Sequence, residues 1–190
     1  MPFLILIAFV SLVGIAVAFV APGWSDLLLL AGPTALAALF LLVQQVRRNR
    51  ANAKADWVVL DGSNVMHWKD GTPHMDPVKE VLACLIAQGF TPGVVFDANA
   101  GYLLSGRYRH DGWLSRTLGL PEDRVMVVNK GEPADRKILT AARDMGAFVV
   151  TNDRYRDWAE DFPEVKTSDH LARGGYRDGN LWLDLPKRPA

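Results

Sequence analysis

Four aspartates stand at positions from which they could share one site. Asp61, Asp97 and Asp153 each fall at or just past the end of a short apolar run, and Asp135 lies in the first turn of a helical pattern. Carboxylates that are brought together repel one another, so they stay ionised only when a cation lies among them. All-oxygen ligation suits Mg²⁺ or Mn²⁺ better than zinc. The pattern raises the hypothesis of a divalent metal site, with a turn-forming or helix-capping role as the alternative for each aspartate.

The cysteine and histidine content argues against disulfide and zinc chemistry. Cys84 is the only cysteine in the chain, so no intrachain disulfide can form. His67 and His74 have no cysteine near them in the sequence, and no zinc-binding spacing results. Cys84 falls on the predicted inner face of a helix, where we expect it to be a core residue.

The apolar runs that precede the aspartates predict the strands that would position them. Strands are predicted over 57–60, 93–97, 124–128, 147–150 and 180–185, and helices over 76–89, 110–118, 133–146 and 155–160. Strands that alternate with helices are typical of a parallel sheet with helices on both faces. Ligands of such sheets lie outside the carboxyl ends of the strands. We therefore expect the four aspartates at one edge of a single α/β domain.

The first 46 residues predict a membrane anchor of two helices. Apolar runs cover about 3–22 and 27–46, and a bilayer core requires roughly 20 helical residues. The turn-forming stretch 21–26 separates them, so the prediction is a transmembrane hairpin. The alternative is a cleaved signal peptide with Ala16-Val17-Ala18 as its cleavage site. The absence of Lys and Arg before the first run, and the second run that follows at once, argue against that alternative.

A basic linker over 47–56 follows the second predicted span. By the positive-inside rule, Arg47, Arg48, Arg50 and Lys54 place the globular domain, residues 57–190, in the cytoplasm of a two-span membrane protein. We favour this topogenic role over an RNA-attracting one. The chain from 57 onward holds 17 basic and 19 acidic side chains. A strongly basic nucleic-acid-binding domain is not indicated, so an anionic substrate would need a local basic patch or metal ions.

Two segments of the domain resemble the NYN-domain ribonucleases of the PIN-like superfamily, most closely the Regnase-type branch. Segment 61–65 (DGSNV) directly follows a predicted strand, and segment 150–157 (VTNDRYRD) begins at the last residue of another. Between them, 134–136 with the helix that follows and 146–150 are similar to the aspartate-bearing helix and next strand of that branch. The resemblance covers about residues 57–165.

This resemblance implies a Rossmann-like parallel sheet and hydrolysis of RNA phosphodiester bonds with Mg²⁺ or Mn²⁺, leaving 5′-phosphate and 3′-hydroxyl ends. Asp61, Asp135 and Asp153 match the family's metal-site acids, and Asn64 matches the asparagine of its first loop. These four are the expected catalytic residues. Asp97 and Asp157 are further candidate metal ligands. The family often has two adjacent aspartates where this chain has Ala134-Asp135, so the departure puts full metal binding in question.

Basic residues near these motifs are the candidate contacts for RNA, expected to be single-stranded or looped. The candidate substrate-binding residues are Ser63, Lys130, Arg154, Arg156, Arg107 and Arg109. Tyr102, Tyr108 and Trp113 are interleaved with the last two arginines, so bases could stack there. The alternative for this stretch is an exposed helix whose tryptophan packs inward. Association with further copies of the chain stays open.

The sequence-based hypothesis is therefore a membrane-anchored, metal-dependent endoribonuclease. Ala134 motivates an alternative, a catalytically weakened NYN-like module that binds RNA or protein at the membrane. A toxin-like PIN nuclease is a third hypothesis, and the two predicted spans disfavour it because such toxins are usually soluble.

Overall fold

A computed structural model describes residues 2–53, 55–167 and 169–186 of the chain. Its contacts divide the chain into two compact units, Met1–Ala55 and Asp56–Ala190. The first unit contains two helices, α1 (Pro2–Val20) and α2 (Leu27–Ala53), and the second is an α/β domain.

Small and hydroxylated side chains join α1 to α2. The hydroxyl groups of Ser11 and Thr34 lie 3.0 Å apart. Because Thr34 donates its proton to the carbonyl of Leu30, at 2.7 Å, Ser11 is the donor to Thr34. A Cβ built on Gly14 would lie 3.3 Å from the Cβ of Ala31, so the backbones approach closely at this point. Close approach at small residues with an interhelical hydrogen bond is typical of helices that pack in lipid.

The outer surface of this helical pair is apolar. Phe19 is 78 % exposed and Leu29 is 77 % exposed, and many other large apolar side chains of both helices face outward. Phe3–Val20 and Leu27–Arg47 are long and apolar enough to cross a membrane. Helix α2 continues beyond that stretch to Ala53, through most of the predicted linker.

The α/β domain is built on a six-stranded sheet with the order β3-β2-β1-β4-β5-β6. The strands are β1 (Trp57–Asp61), β2 (Thr91–Phe96), β3 (Val125–Val127), β4 (Phe148–Val150), β5 (Leu171–Arg177) and β6 (Asn180–Asp184). All neighbouring pairs are parallel except β5 and β6. β1 lies at the centre of the parallel part, and Asp61 at its end is in register with Val95 of β2.

Helices cover both faces of this sheet. The helices are α3 (Gly62–Val65), α4 (Met75–Ala87), α5 (Ala100–Ser105), α6 (Asp111–Leu118) and α7 (Ala134–Met145). Val58 and Leu60 of β1 pack with the apolar residues of α4 and with Leu114 of α6. Val59 points to the other face and packs with Ile138 and Leu139 of α7. The predicted α/β architecture, with helices on both faces of a largely parallel sheet, is confirmed.

Strand β5 is the main element that the sequence pattern did not predict. It contains Gly174 and Gly175, which interrupt the alternation by which strands are recognised. A Cβ on Gly174 would come within 2.5 Å of the Trp68 ring, so the strand requires glycine there. Asp178 and Gly179 both have positive φ and connect β5 to β6 in a tight hairpin. An Asp-Gly pair between two strands is a hairpin signal that could have located β5.

Shorter elements also differ from the predictions. Residues 98–109, which carried no clear pattern, contain α5. The predicted helix over 155–160 is a single 3₁₀ turn, Arg156–Trp158.

Candidate active site

The carboxyl edge of the parallel strands carries the four aspartates singled out in the sequence. Asp61 ends β1, Asp97 directly follows β2, and Asp153 lies three residues after the end of β4. Asp135 is the second residue of α7. Each therefore leaves its element at the same edge of the sheet, as expected for a ligand site in a parallel α/β fold.

Asp61 is a buried carboxylate held by neutral donors. Its side chain accepts hydrogen bonds from the backbone N–H of Asn64 at 3.0 Å, the hydroxyl of Thr151 at 3.0 Å and the hydroxyl of Tyr155 at 2.9 Å. Only 6 % of the residue is exposed. Burial raises the pKa of Asp61 to about 6 although the three hydrogen bonds oppose the shift, and the charge of Asp135 adds to it. Asp61 also caps α3, so the capping alternative and the site role coincide at this residue.

Asp135 lies within the electrostatic reach of the other three aspartates. Its pKa is raised, first by burial and then by the negative charges of Asp153 and Asp97, against a hydrogen bond from Trp158 that lowers it. The Trp158 indole N–H donates to the carboxylate at 3.1 Å. Asp135 also acts on the buried Asp61. A cation placed beside Asp135 would relieve this repulsion.

The loop that carries Asp153 is held by hydrogen bonds to its own backbone. The Asp153 carboxylate accepts from the backbone N–H of Tyr155 at 2.8 Å. Tyr155 has a φ of 47°, which is rare for a residue with a side chain, and its ring is buried. The guanidinium of Arg173 donates to the carbonyls of Thr151 at 3.1 Å and Asp153 at 2.7 Å. Strand β5 thus supports the shape of this loop through Arg173.

Asn64 joins the first motif to the last. Its side-chain oxygen accepts from the indole N–H of Trp68 at 2.8 Å and from the backbone N–H of Asn152 at 2.9 Å. Ser63 similarly accepts from the backbone N–H of Asp97 at 2.7 Å, which ties the first loop to the end of β2. Both side chains therefore position loops of the site.

A polar cleft of about 530 Å³ adjoins this edge. It is lined by Asn64, Asn152, Asp153, Arg154, Arg156 and Asp157. The cleft brings together the candidate substrate contacts Arg154 and Arg156 with the candidate ligands Asp153 and Asp157. Lys130, Arg107 and Arg109 are not among its lining residues.

Several side chains at the site were missed by sequence reasoning. Thr151 and Tyr155 lie inside the segment 150–157, but a hydroxyl group in a loop carries no pattern that predicts its hydrogen-bond partner. Trp158 and Arg173 carried no spacing that pointed to the site. Arg173 lies on β5, which the pattern had not predicted.

The residues present fit a magnesium or manganese ion in chemical type. No group of three or more His, Cys, Asp or Glu side chains is placed to hold a metal ion within 2–53, 55–167 and 169–186. Mg²⁺, however, is usually held by one or two carboxylates and completes its coordination with water and substrate phosphates. The carboxylates of Asp135 and Asp153, whose charges interact, are ligands of the chemical type that such an ion accepts.

Replacing Gly62 with alanine is expected to destabilise the domain by about 1–3 kcal/mol. A Cβ at Gly62 would lie 2.5 to 2.7 Å from three atoms of the buried Phe96 ring, so the loop or the ring must move. Thermal unfolding measures the effect. Gly93→Ala is the matched control, since its Cβ would meet only the Arg124 carbonyl at 3.8 Å. Equal unfolding temperatures for the two variants would contradict the prediction.

Comparison with known proteins supports the fold and identifies a family. A family model described as the Zc3h12a-like ribonuclease NYN domain matches residues 54–173. No curated protein sequence matches the chain.

Two solved structures share the fold. The crystal structure of nuclear proteinaceous RNase P 2 from A. thaliana is 20 % identical with a TM-score of 0.55, covering 70 % of this chain and 30 % of that one. A structure of Arabidopsis thaliana nuclear protein-only RNase P 2 is also 20 % identical, with a TM-score of 0.50, covering 82 % of this chain and 35 % of that one. The chain thus spans about a third of the length of these proteins, and at this identity the likeness shows the fold alone. Since the family match extends over most of the α/β domain and includes both motifs, the chain belongs to the family of Zc3h12a-like NYN-domain ribonucleases.

Proposed function

We propose that this chain is a membrane-anchored endoribonuclease that hydrolyses RNA phosphodiester bonds with Mg²⁺ or Mn²⁺. The observation that carries the proposal is the buried carboxylate of Asp61, which the charge of Asp135 repels and which lies within the segment that matches the ribonuclease family. Among the described residues no Lys, Arg or His forms a salt bridge with Asp61. A buried charge without a cationic partner destabilises a fold, and such groups concentrate at functional sites.

Asp135 and Asp153 are the residues proposed to hold the ion, and Asp97 and Asp157 are further candidates. When bound, the ion would supply Lewis-acid polarisation of a phosphoryl oxygen and a more acidic water. Asp61 contributes a negative charge, and hydrogen bonds from Asn64, Thr151 and Tyr155 fix the orientation of its carboxylate. It is ionised at neutral pH because its pKa, though raised, is about 6.

Arg154 and Arg156 are the proposed phosphate contacts, since both line the cleft beside Asp153. Guanidinium groups bind phosphate oxygens with charge-assisted hydrogen bonds. Lys130, Arg107 and Arg109 are proposed as outer contacts. Ser63 and Asn64 are proposed to act by positioning, because each accepts a backbone hydrogen bond from another loop of the site.

The anchor is proposed to be the hairpin of α1 and α2, with both ends of the hairpin and the α/β domain in the cytoplasm. Two helices of sufficient length and apolarity support this arrangement, and the basic residues after the second span support its direction.

RNA cleavage by the full chain in detergent tests the function. With Mg²⁺ or Mn²⁺ and end-labelled unstructured RNA, Asp135→Asn and Asp153→Asn are each expected to cleave about 100-fold more slowly or worse. Asp144→Asn is the matched control, because Asp144 is exposed and lies on the same helix as Asp135. Equal rates for Asp135→Asn and Asp144→Asn, or no cleavage by the wild type of any RNA tried, would remove the proposal.

A catalytically weakened RNA-binding module is the second candidate. Ala134 favours it, since this residue is 5 % exposed and packs in the core where the family often has a further aspartate. RNA binding that needs no metal, without cleavage, would support this candidate over the first.

Tyr155→Phe is expected to shift the pH dependence of cleavage. The hydrogen bond from Tyr155 lowers the pKa of Asp61, so its loss raises that pKa further above about 6. Because cleavage is proposed to need ionised Asp61, the acidic limb of the pH–rate profile should move to higher pH by about one unit. Tyr176→Phe is the control, since the Tyr176 hydroxyl donates to Glu80 instead. An unmoved acidic limb in Tyr155→Phe would show that Asp61 does not titrate in the rate.

A further inference from the structure

Two exposed tyrosines lie on the connection that leaves the end of β2. Tyr102 and Tyr108 are each 56 % exposed, and their ring centroids lie 6.4 Å apart at an interplanar angle of 53°. Tyr102 belongs to α5, and Tyr108 lies in the turn between α5 and α6. Two large rings are thus displayed side by side at the surface of the α/β domain.

The nearby arginines have different environments. The Arg109 guanidinium lies 4.4 Å from the Trp113 ring centroid, and its Nε donates to the Ser105 hydroxyl at 2.9 Å. Arg109 therefore fixes the turn that displays Tyr108. Arg107 is exposed, and its charge lowers the pKa of Arg109, an effect second to that of burial. The two arginines flank Tyr108 in the chain and their guanidinium groups repel each other, so an anion bound there would reduce that repulsion.

The tyrosines are also close to the candidate active site along the chain. The backbone turns helically from Asp97 onward, since Ala100 N–H donates to the Asp97 carbonyl and Leu103 N–H donates to the Asn99 carbonyl. Tyr102 is five residues after Asp97, which corresponds to about 8 Å between their backbones at the rise of a helix. Asp97 in turn acts electrostatically on Asp135. An RNA strand that reaches the aspartates at the sheet edge would have nucleotides within reach of these rings.

We propose that Tyr102 and Tyr108, with Arg107, form a stacking platform for unpaired RNA bases beside the candidate active site. The platform rests on the proposed function only in taking RNA as the ligand. Aromatic rings stack on any exposed base, and a cationic side chain beside them holds the phosphate backbone. In a duplex the base faces are covered by neighbouring pairs, so the platform selects single-stranded or looped RNA.

RNA binding by the full chain carrying Asp61→Asn, in detergent with EDTA, tests the platform apart from hydrolysis. Fluorescence anisotropy with an unstructured RNA of 15 nucleotides gives the affinity. The added double substitution Tyr102→Ala and Tyr108→Ala is expected to weaken binding at least about 30-fold. Tyr102→Phe with Tyr108→Phe keeps the rings and should change the affinity less than about 3-fold. Leu103→Ala, an exposed apolar neighbour on α5, is the second control and should have no effect.

A blunt-ended duplex of the same length should bind equally well to the parent and to the double alanine variant. Photocross-linking with 5-iodouridine RNA, mapped by mass spectrometry, should place cross-links on Tyr102 or Tyr108. The platform is overturned if the double alanine variant binds unstructured RNA as tightly as its parent, or if no variant binds RNA. It is equally overturned if that variant changes only self-association or vesicle binding. If the wild type fails to cleave but binding depends on the rings, the platform stands and the hydrolytic function falls.

Discussion

Asp61→Asn is expected to abolish RNA cleavage while leaving the folded chain at least as stable as the wild type at neutral pH. Most substitutions of a buried, triply hydrogen-bonded side chain destabilise a protein. Here the carboxylate is buried with three neutral donors, and burial is the largest influence on its pKa. Removing its charge should therefore relieve the fold, as often occurs when a functional residue is replaced.

Proton linkage at Asp61 determines whether the charged carboxylate raises or lowers the stability of the fold. The folded state binds a proton at Asp61 more tightly than the unfolded chain does, because the pKa rises from 3.8 to about 6 on folding. The free energy of unfolding therefore falls as the pH rises from about 4 to about 6 and stays lowered above that, by up to about 3 kcal/mol. Asparagine carries no such penalty, and its amide can donate to the hydroxyl of Thr151 or Tyr155.

Thermal unfolding of both proteins between pH 4 and pH 8 measures this effect. The advantage of Asp61→Asn should be greatest above about pH 6 and should vanish near pH 4. Asp111→Ala is the opposing control, since the Asp111 carboxylate accepts the backbone N–H of Val127 at 2.8 Å and has a structural role. That variant should lose stability and keep cleavage. A marked loss of stability in Asp61→Asn at pH 7.5 would instead make Asp61 a structural residue.

Deletion of residues 1–46 is expected to transfer the protein from the membrane fraction to the soluble fraction. The two helices expose large apolar side chains along their length, including Phe9, which is 63 % exposed, and Phe40, which is 65 % exposed. Exposure of such a large apolar surface to water is unfavourable. Each helix is also about as long as a bilayer core is thick. Ultracentrifugation of carbonate-washed membranes measures the partition. A full chain that stays in the supernatant without detergent would contradict the anchor.

Labelling of single cysteines tests the direction of the hairpin. Cys84 is the only cysteine of the chain, and the prediction that it is a core residue is wrong, since it is partly exposed on α4. The wild type therefore reports the position of the α/β domain. A Cys84→Ala chain with Ser25→Cys reports the turn between the helices. In sealed vesicles with the cytoplasmic face inward, a membrane-impermeant maleimide should label residue 25 and spare Cys84. Labelling of Cys84 alone would indicate the opposite orientation, and labelling of both positions would exclude the two-span arrangement.

Much of the fold follows from local pattern. The four strands that carry or precede the aspartates, and the helices α4, α6 and α7, were predicted from the periodicity of apolar residues. The placement of Asp61, Asp97 and Asp153 at one edge then follows because parallel strands end on the same side of a sheet. The two apolar helices were predicted from length and composition, because each apolar run is about as long as a helix that crosses a bilayer core.

Tertiary structure decided the environment of each carboxylate. Asp61 accepts hydrogen bonds from Thr151 and Tyr155, which lie 90 and 94 residues away in the chain. A local sequence pattern cannot predict hydrogen bonds over such separations. The same holds for Arg173, which reaches the Asp153 loop from strand β5, where the packing of Trp68 requires glycine at position 174. Periodicity reports which face of an element is buried. Which strands become neighbours, and hence which carboxylate loses its hydration, depends on how segments distant in the sequence pack together.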